Sequence, residues 1–133
     1  MNSKLWALVI VPFLMLAHPA LANVPLVEPA PVAVPSDVST EQLLRALKIA
    51  FVERGWMVTK EEPGRLEATL NVRKHMLQVE AMYDASQVTF AYLDSVNLDY
   101  EEKKGVKYIH RKYAGWMNNV VVGLRRAMLQ AQS

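Results

Sequence analysis

Eight polar side chains between Tyr92 and Trp116 have the types and spacing to make a site: Asp94, Ser95, Asn97, Lys103, Lys104, Lys107, His110 and Arg111. Two chemistries are open to them. Ser95 and His110, with Asp94 or Asp99, are the residue types of a nucleophile, its base and the carboxylate that orients the base. The lysines and Arg111, interleaved with Tyr100, Tyr108 and Tyr113, can instead hold an anion.

The first chemistry has little local support. No Gly-x-Ser-x-Gly elbow surrounds Ser95, and no oxyanion loop accompanies it. Asp, Ser and Asn are also the residues whose short side chains bond nearby backbone and shape turns. Asp94, Ser95 and Asn97 are therefore expected to fold a connection, with His110 pinning it to the helix that follows. His75 and His110 lie on different elements without the i, i+4 pairing of a helical metal site, so neither a metal nor a cofactor is expected.

Composition narrows the classes further. The chain has 133 residues, just over half of them apolar, and no cysteine. Disulfides, thiolate catalysis and cysteine-based zinc sites are excluded. The formal charge is +2, and a near-neutral chain has no general field drawing it to nucleic acid.

The elements that must position these residues follow from periodicity. Ser39 and Gln42 have capping-box spacing, and Leu43, Leu44, Leu47, Ala50 and Phe51 make one helical stripe ended by Gly55. Trp56-Met57-Val58 reads as a short strand, and Glu61-Glu62-Pro63-Gly64 as a turn. Leu66, Ala68, Leu70 and Val72 alternate with Glu67, Thr69 and Asn71, as in a strand with one buried and one wet face. Leu77, Val79, Ala81 and Tyr83 repeat the pattern after Arg73-Lys74-His75, and Val88, Phe90 and Tyr92 do so after Asp84-Ala85-Ser86. A last helix is expected from Val106 or Lys107, with Ile109, Tyr113, Trp116, Met117, Val120 and Leu124 on its buried side.

These elements define an α+β fold: an N-terminal helix, an antiparallel meander of three to four strands and a C-terminal helix, with both helices on one sheet face. Residues 38–133 form this single domain. Met1–Ala22 has the charged start, apolar core and Ala20-Leu21-Ala22 ending of a secretory signal peptide, and its apolar run is too short to span a membrane. No span is expected once it is removed. Asn23–Asp37 carries Pro25, Pro29, Pro31 and Pro35, and such proline density predicts an extended, flexible spacer.

Gly55-Trp56, Pro63-Gly64-Arg65-Leu66-Glu67-Ala68, Tyr92 to Leu98, and Ile109-His110-Arg111-Lys112-Tyr113 with Trp116 resemble an uncharacterised group of small exported bacterial proteins. Many of those look like lipoproteins. The resemblance covers the folded part, implies an envelope location and carries no activity. Lacking a cysteine, this chain departs from the lipoprotein members. The expectation is a soluble periplasmic or secreted protein, a non-catalytic binding or structural module whose partner is an envelope protein or an anionic envelope component. The alternative is a small hydrolase using Ser95 and His110.

Overall fold

A computed structural model describes residues 23–133; the expected leader, Met1–Ala22, lies outside the described residues. The elements run β1 (Asn23–Pro25), β2 (Val32–Ala33), α1 (Thr40–Val52), β3 (Trp56–Glu62), β4 (Arg65–Val72), β5 (His75–Tyr83), β6 (Gln87–Val96), β7 (Glu101–Lys103), β8 (Val106–His110) and α2 (Lys112–Gln132). The fold is α+β with two helices and two antiparallel sheets. The larger sheet has the order β2-β6-β5-β4-β3 and the smaller β1-β8-β7. This exceeds the three or four strands expected, because residues read as spacer and as helix start are strands.

Local chemistry explains the central elements. Ser39 Oγ accepts from Gln42 N at 3.0 Å while Gln42 Oε1 accepts from Ser39 N at 2.8 Å, closing the capping box. The β3–β4 hairpin turns at Pro63-Gly64, with Gly64 at φ 76°. Asp84 Oδ1 accepts from the amides of Ser86 and Gln87 and from the Ser86 hydroxyl, which shapes the β5–β6 turn. Those bonds, the Ser86 amide first, hold the Asp84 carboxyl below its ordinary pKa.

Leu66, Ala68 and Leu70 of β4 pair with Ala81, Val79 and Leu77 of β5, so one face of the sheet is continuously apolar. Phe51 of α1 meets Phe90 and Trp56 edge-on. Side chains from both helices and from this sheet face form one core cluster. At the helix crossing Gly123 packs against Ala50, where an added Cβ would lie 3.5 Å from Ala50 Cα, an ordinary van der Waals contact. On the opposite sheet face Arg65 bridges Glu67 and Glu80 across β4 and β5.

Three expectations are corrected. Asn23–Asp37 is not a free tether: β1 pairs with β8, β2 pairs with β6, and Val32 and Val34 enter the core. Proline is tolerated because both pairings are short and lie at sheet edges. The last helix starts at Lys112 and not near Val106, because Lys104 (φ 52°) and Gly105 (φ 79°) make a two-residue hairpin turn between β7 and β8. Ile109 is thus buried from a strand, and His110 ends that strand instead of lying on the helix. Trp116 is half-buried at the edge of the core, and the buried face of α2 runs through Tyr113, Met117, Val120, Val121, Leu124, Ala127 and Met128. Among the described residues no helix is long and apolar enough to cross a membrane.

One carboxylate on the proline-rich Asn23–Asp37 strap ties it to two further elements. Beyond Val88 no strand of the described residues continues along the outer edge of β6, and there Glu28 Oε2 accepts the Tyr92 amide at 2.7 Å. Its Oε1 accepts the hydroxyl of Tyr113, which is 1 % exposed. Burial, then the bond to Glu28, drives the Tyr113 phenol far above its ordinary pKa. Replacing Glu28 with Ala removes the acceptor of two donors, so it should cost roughly 2–3 kcal/mol in chemical denaturation, whereas Glu28→Gln should cost less.

The Tyr113 shift carries a sign. Its folded pKa is raised, so its contribution is complete below the unfolded value near 10 and declines as pH climbs above it. Stability should therefore fall by about 1.4 kcal/mol per pH unit above about pH 10. Tyr113→Phe should flatten that slope in denaturation curves taken across alkaline pH.

Candidate functional site

Of the polar residues picked out by sequence, Asp94, Ser95, Asn97, His110 and Arg111 lie toward one end of the larger sheet, where β4 turns into β5, β6 ends and β8 delivers the chain into α2. The organiser there is Asn97, in the left-handed region at φ 59°. Asparagine tolerates this conformation better than most residues. Its side-chain amide donates to Lys74 O at 2.9 Å, and its carbonyl lies 2.6 Å from His75 Nδ1. A carbonyl can only accept, so His75 Nδ1 carries the proton. Leu98 is buried, and its carbonyl accepts the His110 amide at 2.7 Å. The segment after β6 is thereby tied to the β4–β5 turn and to the end of β8.

His110 has a different task from the one expected. Its Nδ1 accepts the Lys112 amide at 3.1 Å, a cap supplied from just before α2 where the N-cap residue Arg111 offers no side-chain bond. The histidine that pins the Asn97 segment is His75. Ser95 Oγ bonds the Tyr92 hydroxyl at 2.7 Å, and Asp94 Oδ1 accepts the Ser95 amide at 2.8 Å. Ser95 and His110 are therefore committed to separate partners, and no hydrogen bond joins them among the described residues. The Tyr92 ring stacks on Tyr100 with centroids 4.4 Å apart, and burial raises the Tyr92 pKa.

Asp94, Ser95, Asn97 and Lys107 do line one shallow polar cleft of about 430 Å³, with Tyr92 and Tyr100. Lys103 and Lys104 stand apart from it on the β7–β8 hairpin, where Lys103 Nζ lies 3.4 Å from Glu101. His110 and Arg111 do not line it either.

A larger cleft, about 540 Å³, lies between the β4–β5 turn and the first turns of α2. Arg73, His75, Lys112, Trp116, Asn118 and Asn119 line it, with Val72 and Gly115. No carboxylate is among the lining residues, and neither Arg73 nor Lys112 makes an ion pair with a described residue. The Trp116 ring stands 6.3 Å from that of His75, and the rings of His75 and His110 are 6.1 Å apart. No group of three His, Cys, Asp or Glu among the described residues could hold a metal ion.

None of the residues lining this larger cleft is among the eight candidates that the sequence offers. Arg73 and His75 read as turn and Trp116 as core. A signal was present nonetheless: Lys112, Trp116 and Asn119 follow one another at i, i+4 and i+7, on one helical face. No family model, curated protein or solved structure matches the chain.

The Asn97 lock is separable from any ligand. Asn97→Ala places an ordinary residue in the left-handed region and removes the bond to Lys74, so it should cost about 1–2 kcal/mol by urea denaturation. Asn97→Gly should recover much of that loss, and Ser95→Ala, at a half-buried hydroxyl, should change stability far less.

Proposed function

We propose that the chain is an exported, non-catalytic binding module of the cell envelope, and that it holds an anionic envelope component in the cleft beside Trp116. The observation carrying this reading is the pairing of Arg73 and Lys112 around one cleft without a carboxylate. Two like charges brought together repel each other, and a bound anion relieves that repulsion while a half-enclosed site strengthens the attraction. Arginine adds a planar fork suited to phosphate or carboxylate. The secretory pattern of Met1–Ala22 supports the compartment. The separate hydrogen bonds of Ser95 and His110 favour binding over hydrolysis.

This reading moves the expected site. Arg111 flanks the cleft in sequence, whereas Lys103, Lys104 and Lys107 belong to the hairpin and do not line it. Amide chemical shifts followed during titration with pyrophosphate check the difference. Shifts should concentrate at Arg73, His75, Lys112 and Trp116, and weaken as salt is raised. Arg73→Glu with Lys112→Glu should lower affinity by at least about tenfold, and Lys103→Glu with Lys104→Glu by much less. An equal loss from the hairpin pair would relocate the site to β7–β8.

A further inference from the structure

The cleft offers more than charge. Trp116 is half-buried: part of its indole packs against the core and part lines the cleft. A tryptophan surface fixed in this way presents a flat apolar face to a ligand at little cost in side-chain entropy. Beside it are three groups able to form hydrogen bonds with neutral partners. Asn118 and Asn119 each carry a donor and an acceptor, and neither is tied into the bonds that lock the Asn97 segment. His75 donates through Nδ1 to Asn97 O, which leaves Nε2 for a ligand hydroxyl.

Resting on the anion reading above, we infer that the ligand is a phosphorylated sugar: its phosphate held by Arg73 and Lys112, its ring on Trp116 and its hydroxyls at Asn118, Asn119 and His75. A simple anion would leave the indole and the two amides without a partner. A sugar ring has an apolar C–H face to lay on an indole, and hydroxyls that both donate and accept around its rim. That mixture is what two carboxamides and an imidazole nitrogen can satisfy. A nucleobase fits less well. Its flat ring is best held in a slot between parallel rings, and the only aromatic neighbour of Trp116 in the cleft, His75, is tilted by 55° to it at 6.3 Å. The same glycosyl phosphate chemistry occurs in free sugar phosphates and at the exposed ends of glycolipids, so the test must separate the two.

Calorimetric titration of the purified exported protein provides it. Glucose 1-phosphate should bind at least about tenfold more tightly than inorganic phosphate, with glucose weaker than both, since each part of the ligand contributes separately. Adenosine monophosphate should bind no more tightly than ribose 5-phosphate. Trp116→Ala should remove most of the advantage of glucose 1-phosphate over inorganic phosphate, while Trp116→Phe keeps most of it. The wild-type comparisons need no variant, so they decide the matter even if Trp116→Ala fails to fold.

Equal binding of phosphate and glucose 1-phosphate would overturn the sugar inference and leave the anion reading standing. Adenosine monophosphate binding above ribose 5-phosphate would overturn it in favour of a base. No binding of any phosphate would remove both readings. Phosphatidylglycerol vesicles bearing an alkyl glucosyl phosphate complete the set. Binding to these well above that to soluble glucose 1-phosphate and to plain phosphatidylglycerol vesicles supports a membrane-borne glycosyl phosphate. Equal binding to the soluble and displayed sugar supports the free form.

Discussion

The structure depends on one carboxylate. Glu28 sits on a proline-rich strap and accepts both from the edge amide of Tyr92 and from the buried hydroxyl of Tyr113. With those two bonds it stands in for the strand that β6 lacks and satisfies a phenol that the core would otherwise leave without a partner. It also fixes where α2 runs past the sheet, since Tyr113 is in the first turn of that helix. Remove the strap and three elements lose a common point of reference: the outer edge of β6, the start of α2 and the smaller sheet to which Asn23–Pro25 belongs.

The candidate cleft inherits this arrangement. Its walls are the turn after β4 and the beginning of α2, which are distant in sequence. Three small devices hold them in register: Asn97 bonded to Lys74 and His75, Leu98 bonded to His110, and His110 bonded to Lys112. The first and third join a side chain to backbone and the second joins backbone to backbone, so the cleft is shaped by fixed polar bonds between segments. Arg73, itself left-handed at φ 56°, is presented by a two-residue connection that has little freedom to swing.

Much of the fold was legible in the order of residues. The Ser39–Gln42 cap, the Gly64 turn and the alternation of Leu66, Ala68 and Leu70 are local signals, and the structure contains all three. What escaped was set by partners far along the chain. Val32 is a strand residue because Val88 lies opposite it, and Val106–His110 is a strand because Asn23–Pro25 and Glu101–Lys103 flank it. The tyrosine and isoleucine of Val106–His110 suit either a helical stripe or a strand, and the flanking strands together with the turn at Lys104 and Gly105 select the strand. The cleft was hidden for a related reason. Trp116 has the size and spacing of a core residue, and periodicity cannot distinguish the centre of a buried stripe from its rim.

The strap has a further consequence, for the order in which the molecule can be assembled. Asn23 pairs with His110 and Val32 with Val88, so the earliest described residues find their places only after most of the chain is available. Contacts of such long sequence separation are slow to form, because the intervening chain must be closed into a loop before they repay anything. The head of the domain therefore waits while its tail arrives, and until then the edge of β6 and the phenol of Tyr113 are unguarded. Proline suits a segment in that position. It stiffens the waiting strand into an extended form, removes amide donors that could pair with the wrong edge, and leaves the single carboxylate of Glu28 to recognise the right one.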